Sequence, residues 1–156
     1  MKGDAGLIQK LDELLADELT AIMQYMVHSE MCANWGYDRL HESVEKRAID
    51  EMRHAEKLIA RIIFLEGAPT VSRLNRINIG SEVPEQLRSD LSAEMGAVRA
   101  YNEAIHLADK VGDAATRELL ESILKDEDDH VDGIEEQLDQ IAQMGVGLYL
   151  STQTGK

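Results

Sequence analysis

At 156 residues and 44% hydrophobic content, the chain carries enough apolar side chains for one continuous core and too many for general disorder. Acidic residues number 30 against 16 basic ones, a formal charge of −14 that gathers cations and repels phosphate backbones. No Lys/Arg-rich tail offsets it, so nucleic-acid binding is not expected. No apolar run approaches a membrane span or a signal segment, and Cys32 is the only cysteine, which excludes an internal disulfide and points to a cytoplasmic setting.

Only two prolines interrupt the chain, Pro69 and Pro84, and β-branched alternation is rare, which predicts an all-α class. The first helix runs from about Asp4, a capping residue, to Asn34, where Trp35-Gly36 breaks it. A second covers about 38–66 and stops at Gly67-Ala68-Pro69. Residues 68–81, with Pro69, Asn75, Asn78 and Gly80, form an extended connection. A third helix covers about 82–111, Gly112-Asp113 turns the chain, and a fourth covers about 113–144. A short fifth helix is predicted at about 146–152.

Lengths select the topology. A helix of roughly 28 residues is about 42 Å long, and a connection of roughly 14 residues stretches about 46 to 50 Å. The segment 68–81 can therefore cross the bundle end to end, whereas the other connections only reverse the chain. One long crossover in a single four-helix domain is the ferritin-like arrangement.

A duplication lies over these helices. Glu51-Met-Arg-His54 recurs as Glu127-Asp-Asp-His130, and Glu18 recurs as Glu94 at the same offset, so each lone glutamate stands equally far ahead of its motif. Tyr25 and Tyr101 keep the register, as do Leu11, Leu15 and Ile22 with Leu87, Leu91 and Val98. At about 100° per residue all six groups fall on apolar stripes, where four uncompensated carboxylates would be very costly. No Lys or Arg shares those stripes near the six groups, Arg47 being the nearest by angle but a full turn before Glu51. Cations from solution are then the natural partners.

Glu103-Ala-Ile-His106 has the same spacing but points about 180° from Glu94, and Val27 and Glu30 stand at the matching places of the first half, so it reads as surface. His28 reads as a flanking polar residue, and Asp38 with His41 as a helix-start pair. Oxygen-rich ligation with one imidazole per metal suits two iron or manganese ions, and iron there can pass paired electrons to O₂ or H₂O₂. Tyr25 and Tyr101 lie about two turns beyond Glu18 and Glu94, either as hydrogen-bonding partners of the ligands or as ordinary core tyrosines.

Over nearly its whole length the chain resembles the bacterioferritins. The residues that carry the likeness include Met1-Lys-Gly-Asp4, Glu18, Gln24-Tyr25, Asn34-Trp35-Gly36, Ile49 to Glu56, Phe64-Leu65-Glu66-Gly67, Asn78-Ile79-Gly80, Asp126-Glu127 with His130, and Met144-Gly145 with Tyr149-Leu150. The resemblance implies an iron-storing ferroxidase in a hollow shell of 24 subunits, oxidising Fe(II) and keeping the ferric mineral inside. It implies that Glu51 and Glu127 bridge two irons, that Glu18 and His54 complete one, and that Glu94 and His130 complete the other. It also implies that Met52 ligates haem at a twofold interface. Met52 lies about 100° off the ligand face, in a second apolar stripe with Ile49, Ile59 and Ile63, and Leu19, Met23 and Met26 form such a stripe on the first helix. A homo-oligomer or a mixed shell with a related subunit is expected, and a ferredoxin-type reductant for iron release.

Some positions depart from the family's pattern. Lys46 stands where a histidine often joins Asp50 in an inner-surface iron site, which puts that site in doubt. Gly133 and Leu58 replace a tryptophan and a tyrosine associated with electron movement, leaving Tyr25 as the redox-active aromatic near the site. Glu45 and Met26 replace aromatics near the haem. The rival readings are a haem-free ferritin and a DNA-protecting mini-ferritin-like protein; a rubrerythrin-like peroxidase would need cysteine pairs that the chain lacks.

Overall fold

The computed structural model describes residues 1–155 and contains five helices and no strand among them: α1 (Ala5–Asn34), α2 (Asp38–Phe64), α3 (Val83–Lys110), α4 (Ala114–Met144) and α5 (Val146–Ser151). Both expected caps form, the Asp4 carboxylate accepting from the Leu7 amide and the Asp113 carboxylate from the Thr116 amide. Helix α2 stops two residues short of the expected 66. Glu66, at φ 66°, takes the left-handed position, its amide donating to Ile63 O and the Gly67 amide to Ile62 O. The stop signal is therefore read one residue before the glycine.

α1 packs along α2, and α3 along α4, as two hairpins. The hairpins face each other with α1 antiparallel to α3, since Lys10 meets Glu103 and Cys32 meets Gln86. α2 and α4 are likewise antiparallel, since Asp50 reaches His130 and Asp126 reaches His54. One end of the bundle is filled by Leu7, Leu11, Leu14, Leu58, Ile62 and Leu120. At the other, Cys32, Leu40, Val83, Leu87 and Ile134 pack around Tyr149 of α5. The long crossover is present, and the all-helical ferritin-like class is the observed one.

That crossover, residues 65–82, has no regular structure, yet four of its amides are bonded to side chains of α1. α1 supplies the acceptors in order: Asp12 for Thr70 N at 2.7 Å, Thr20 for Asn75 N at 2.8 Å, Gln24 for Asn78 N at 3.1 Å, and His28 Nε2 for Gly80 N at 3.0 Å. The segment lies along α1 as a strap, pinned by side chains instead of a backbone ladder. At Gly80 the chain runs so close to α3 that an added Cβ would sit 2.5 Å from Gln86 N.

Gly80→Ala is expected to lower the thermal midpoint, at a cost of about 1–3 kcal/mol from forcing strap and helix apart. Gly133→Ala, in mid-α4 where a Cβ meets nothing within 4 Å, is expected to raise it through a gain of up to about 1 kcal/mol in helix propensity. Calorimetric melts of the two variants check both signs.

Candidate metal centre

Each helix of the bundle sends one glutamate to its middle: Glu18 from α1, Glu51 from α2, Glu94 from α3 and Glu127 from α4, with His54 and His130 from α2 and α4. All six are buried. They divide into two clusters, Glu18/Glu51/His54/Glu127 and Glu51/Glu94/Glu127/His130, with the donor atoms of each cluster within 4.8 Å of one another. Glu51 and Glu127 belong to both. His54 Nδ1 lies 2.8 Å from Glu127 Oε1 and 3.3 Å from Glu51 Oε1; His130 Nδ1 lies 3.3 Å from both Glu51 Oε1 and Glu94 Oε1.

The inward atoms have no hydrogen-bond partner: Glu18 Oε2, Glu51 Oε1, Glu94 Oε2, both Glu127 oxygens and both Nδ1 atoms. Buried polar atoms are rarely left so, and seven around one centre could hold metal ions. The outward atoms, by contrast, are held. His54 Nε2 meets Asp126 at 2.8 Å and His130 Nε2 meets Asp50 at 2.9 Å, which orients each ring with Nδ1 toward the centre. The Tyr25 hydroxyl donates to Glu94 Oε1 at 2.5 Å and Tyr101 donates to Glu18 Oε1 at 2.6 Å.

Every one of these supports crosses between hairpins. Tyr25 on α1 holds the glutamate of α3, and Tyr101 on α3 holds that of α1; the two aspartates exchange histidines between α2 and α4 in the same way. Asp50 and Asp126 are themselves related by the repeat, each directly preceding its motif glutamate, so the repeated unit is Asp-Glu-x-x-His. Comparing the two copies one residue further upstream would have found them. Lys46, 3.4 Å from Asp50, adds a salt bridge on its exposed side.

The electrostatics follow from crowding. Burial, with the Glu18 charge nearby, holds the Glu51 carboxyl well above its ordinary range. Burial, with Glu18 and Glu51, pushes Glu127 up to about 12. Glu94 goes the other way: burial raises it, but the His130 imidazole beside it, with Glu127 and the Tyr25 hydroxyl, brings it below its ordinary value. Burial alone would lower His54 and His130, yet carboxylates led by Glu127 and Glu94 respectively raise both. Burial keeps Tyr25 and Tyr101 neutral donors, their pKa values displaced upward. Without cations, then, the centre holds protons in their place.

Two readings need correction, those of His28 and His41. Arg47, the nearest basic residue by angle, is buried at 6% exposed, bonded through Nη2 to Asp90 at 3.1 Å, with its guanidinium 4.5 Å from the Tyr25 ring centroid. It reaches none of the six groups, because its length carries it past the inward face toward α3. His28 is no flanking residue but fully buried, its Nδ1 2.9 Å from Asp90 and its Nε2 on the strap. His41 does not pair with Asp38; its Nδ1 lies 3.0 Å from Ser29 O, so it ties α2 to α1. Glu103 is bound to Lys10 at the surface, and His106 is exposed. Met52 is 45% exposed, and Met23, Met26, Ile49 and Ile63 of the expected stripes are exposed as well, whereas Leu19 and Ile59 are half-buried.

A cavity of about 260 Å³ under the strap, between α1 and α3, reaches Glu18, Glu51, Glu94 and Glu127, with Asp17 and Asn75 also in its wall. No described helix is long and apolar enough to cross a membrane.

Residues 8–144 match the model of the ferritin-like domain. The chain is 40% identical over 149 residues to a bacterioferritin of Brucella melitensis, covering 96% of this chain and 92% of that one. It is 41% identical over 145 residues to a bacterioferritin of Rhodobacter capsulatus (93% and 90%) and 41% over 149 residues to one of Mycolicibacterium paratuberculosis (96% and 94%). Helical bundle, crossover and end-to-end similarity agree: the chain belongs to the bacterioferritin family of iron-storage proteins.

Proposed function

We propose that the protein is a ferroxidase that takes Fe(II) as substrate, oxidises it in pairs and stores the product inside a shell of 24 subunits. The observation that supports this reading most directly is the set of seven unpartnered inward donor atoms, arranged as two clusters that share Glu51 and Glu127. Four carboxylates balance two divalent cations, and the oxygen-rich set with one imidazole each suits iron. Glu18 and His54 complete one position, Glu94 and His130 the other. Two Fe(II) ions there supply the two electrons that reduce H₂O₂ to water with two protons, or that begin the reduction of O₂.

The chain's own groups do the rest. Asp126 and Asp50 keep Nδ1 of each histidine facing the ions. Tyr101 and Tyr25 occupy one oxygen of Glu18 and Glu94, leaving the other for a cation. The protons displaced from Glu51 and Glu127 leave as the ions bind. Fe(II) enters through the cavity under the strap, where Asp17 and Glu18 offer negative charge.

The patch around Met52 is the face on which two subunits meet. Its fit to haem rests on an exposed thioether among exposed apolar side chains. One Met52 from each subunit would hold the iron, and the haem would supply electron transfer between the shell's surfaces.

Glu18→Ala, Glu94→Ala and His130→Ala are each expected to slow rapid Fe(II) oxidation by at least about a hundredfold while the shell still assembles. Stopped-flow absorbance with size-exclusion chromatography measures this, and unchanged rates in all three would end the proposal. Met52→Leu is expected to remove the haem absorbance bands of the purified protein without changing Fe(II) oxidation.

A pH dependence also follows. Glu127 binds its proton more tightly folded than unfolded, so between about 4.5 and about 12 the folded state holds one proton more and stability falls as pH rises. Glu51, His54 and His130 act in the same sense above their ordinary values, whereas Glu94 and Asp50, both lowered, stabilise only above theirs and lose that on acidification. Each retained proton contributes about 1.4 kcal/mol per pH unit. Chelator-treated protein is expected to melt lower at pH 9 than at pH 7, with Co(II) flattening the slope. A rising midpoint over that range would contradict the assignment.

A further inference from the structure

The two halves of the centre have matching ligands but different support behind them. Behind Tyr25 lies a buried polar cluster: Asp90 accepts from Gln24 Nε2 at 2.8 Å and Arg47 Nη2 at 3.1 Å, and His28 Nδ1 lies 2.9 Å away. Carried through the repeat into the second half, Gln24, His28 and Arg47 become Ala100, Ala104 and Ile123, while Asp90 corresponds to Leu14 in the first. Behind Tyr101 the equivalent places are therefore apolar, and Leu14, Ala104 and Ile123 pack with Tyr101 in one core cluster. The duplication breaks here and nowhere among the ligands.

Arg47 is the member of this cluster that touches the tyrosine. Its Nη1 is buried with no hydrogen-bond partner, so two contacts fix the guanidinium: Asp90 on Nη2 and the Tyr25 ring, over which its Cζ lies 4.5 Å from the centroid. Asp90 cannot move to follow it, because Gln24 and His28 also bind the strap amides of Asn78 and Gly80. We propose that Arg47, clamped by Asp90, is a positioning residue for Tyr25 and, through the Tyr25–Glu94 hydrogen bond, for the Glu94/His130 cation position alone. The Glu18/His54 position, backed by aliphatic packing, is independent of it. The two positions are thus inequivalent in support although equivalent in donor set.

The inference rests on the two-cation reading, and Co(II) titration of the assembled, metal-free protein by its visible absorbance separates the two. Wild-type protein is expected to take two Co(II) per subunit; fewer would defeat the two-cation reading itself. Arg47→Met is then placed in two backgrounds. With His54→Ala, where the Glu94/His130 position keeps its imidazole, it is expected to weaken Co(II) about tenfold. With His130→Ala it is expected to change nothing. Equal weakening in both backgrounds, or none in the first, overturns the inference while leaving the two-cation reading intact. Adding Tyr25→Phe should abolish the effect of Arg47→Met; a loss that persists shows that Arg47 does not act through Tyr25 and also overturns it. If Arg47→Met fails to assemble, Arg47→Lys, which keeps a charge against Asp90 but has no planar face for the ring, is read against the same outcomes.

Discussion

Four carboxylates and two imidazoles packed into the middle of an apolar bundle set the terms for everything around them. Hydrophobic burial favours closing the helices on one another, and the same closure removes water from groups that need it. Neither demand can be met by yielding on the other, because the glutamates stand at the very positions that bring the four helices together. On the proposed reading, protons fill the need when cations are absent and divalent ions fill it better.

The arrangement also makes the ligands structural hostages of the opposite hairpin. A hairpin alone has two glutamates and one histidine but lacks the tyrosine and aspartate that aim them, since these sit on the other hairpin. Correct geometry is thus available only after the two hairpins dock. The duplicated sequence supplies this at little cost: a pair of supports that cross once between halves must, by the pseudo-twofold relation, cross twice.

Much of this was legible in the residues. Helical period, the capping aspartates and the length of the crossover lead to the bundle, and the repeat separates Glu51/His54 and Glu127/His130 from the surface pair Glu103/His106. What remained hidden has a common physical cause. Angular position says where a Cα lies, not where a long side chain ends, so Arg47 could be placed near a boundary but not traced to Asp90 and Tyr25. His28, Gln24 and Thr20 find their partners on an irregular strap, whose path no periodicity records. Asp90 was detectable in principle, as a charged residue in the register place of the buried Leu14, because a break in a repeat carries as much information as the repeat.

The strap has a further consequence for α1. Its polar side chains from Asp12 to His28 are largely engaged by the strap and by the other helices. Between Leu7 and Met31 the polar residues most exposed are Gln9, Glu13 and Glu30, alongside the apolar Met23, Met26 and Val27. An ordinary surface helix offers water a hydrophilic back; this one shares much of its polar surface with neighbours on other sides and leaves Met23, Met26 and Val27 exposed. α1 is therefore poorly suited to exist on its own, and its compatibility with water is conferred by the segments that fold over it.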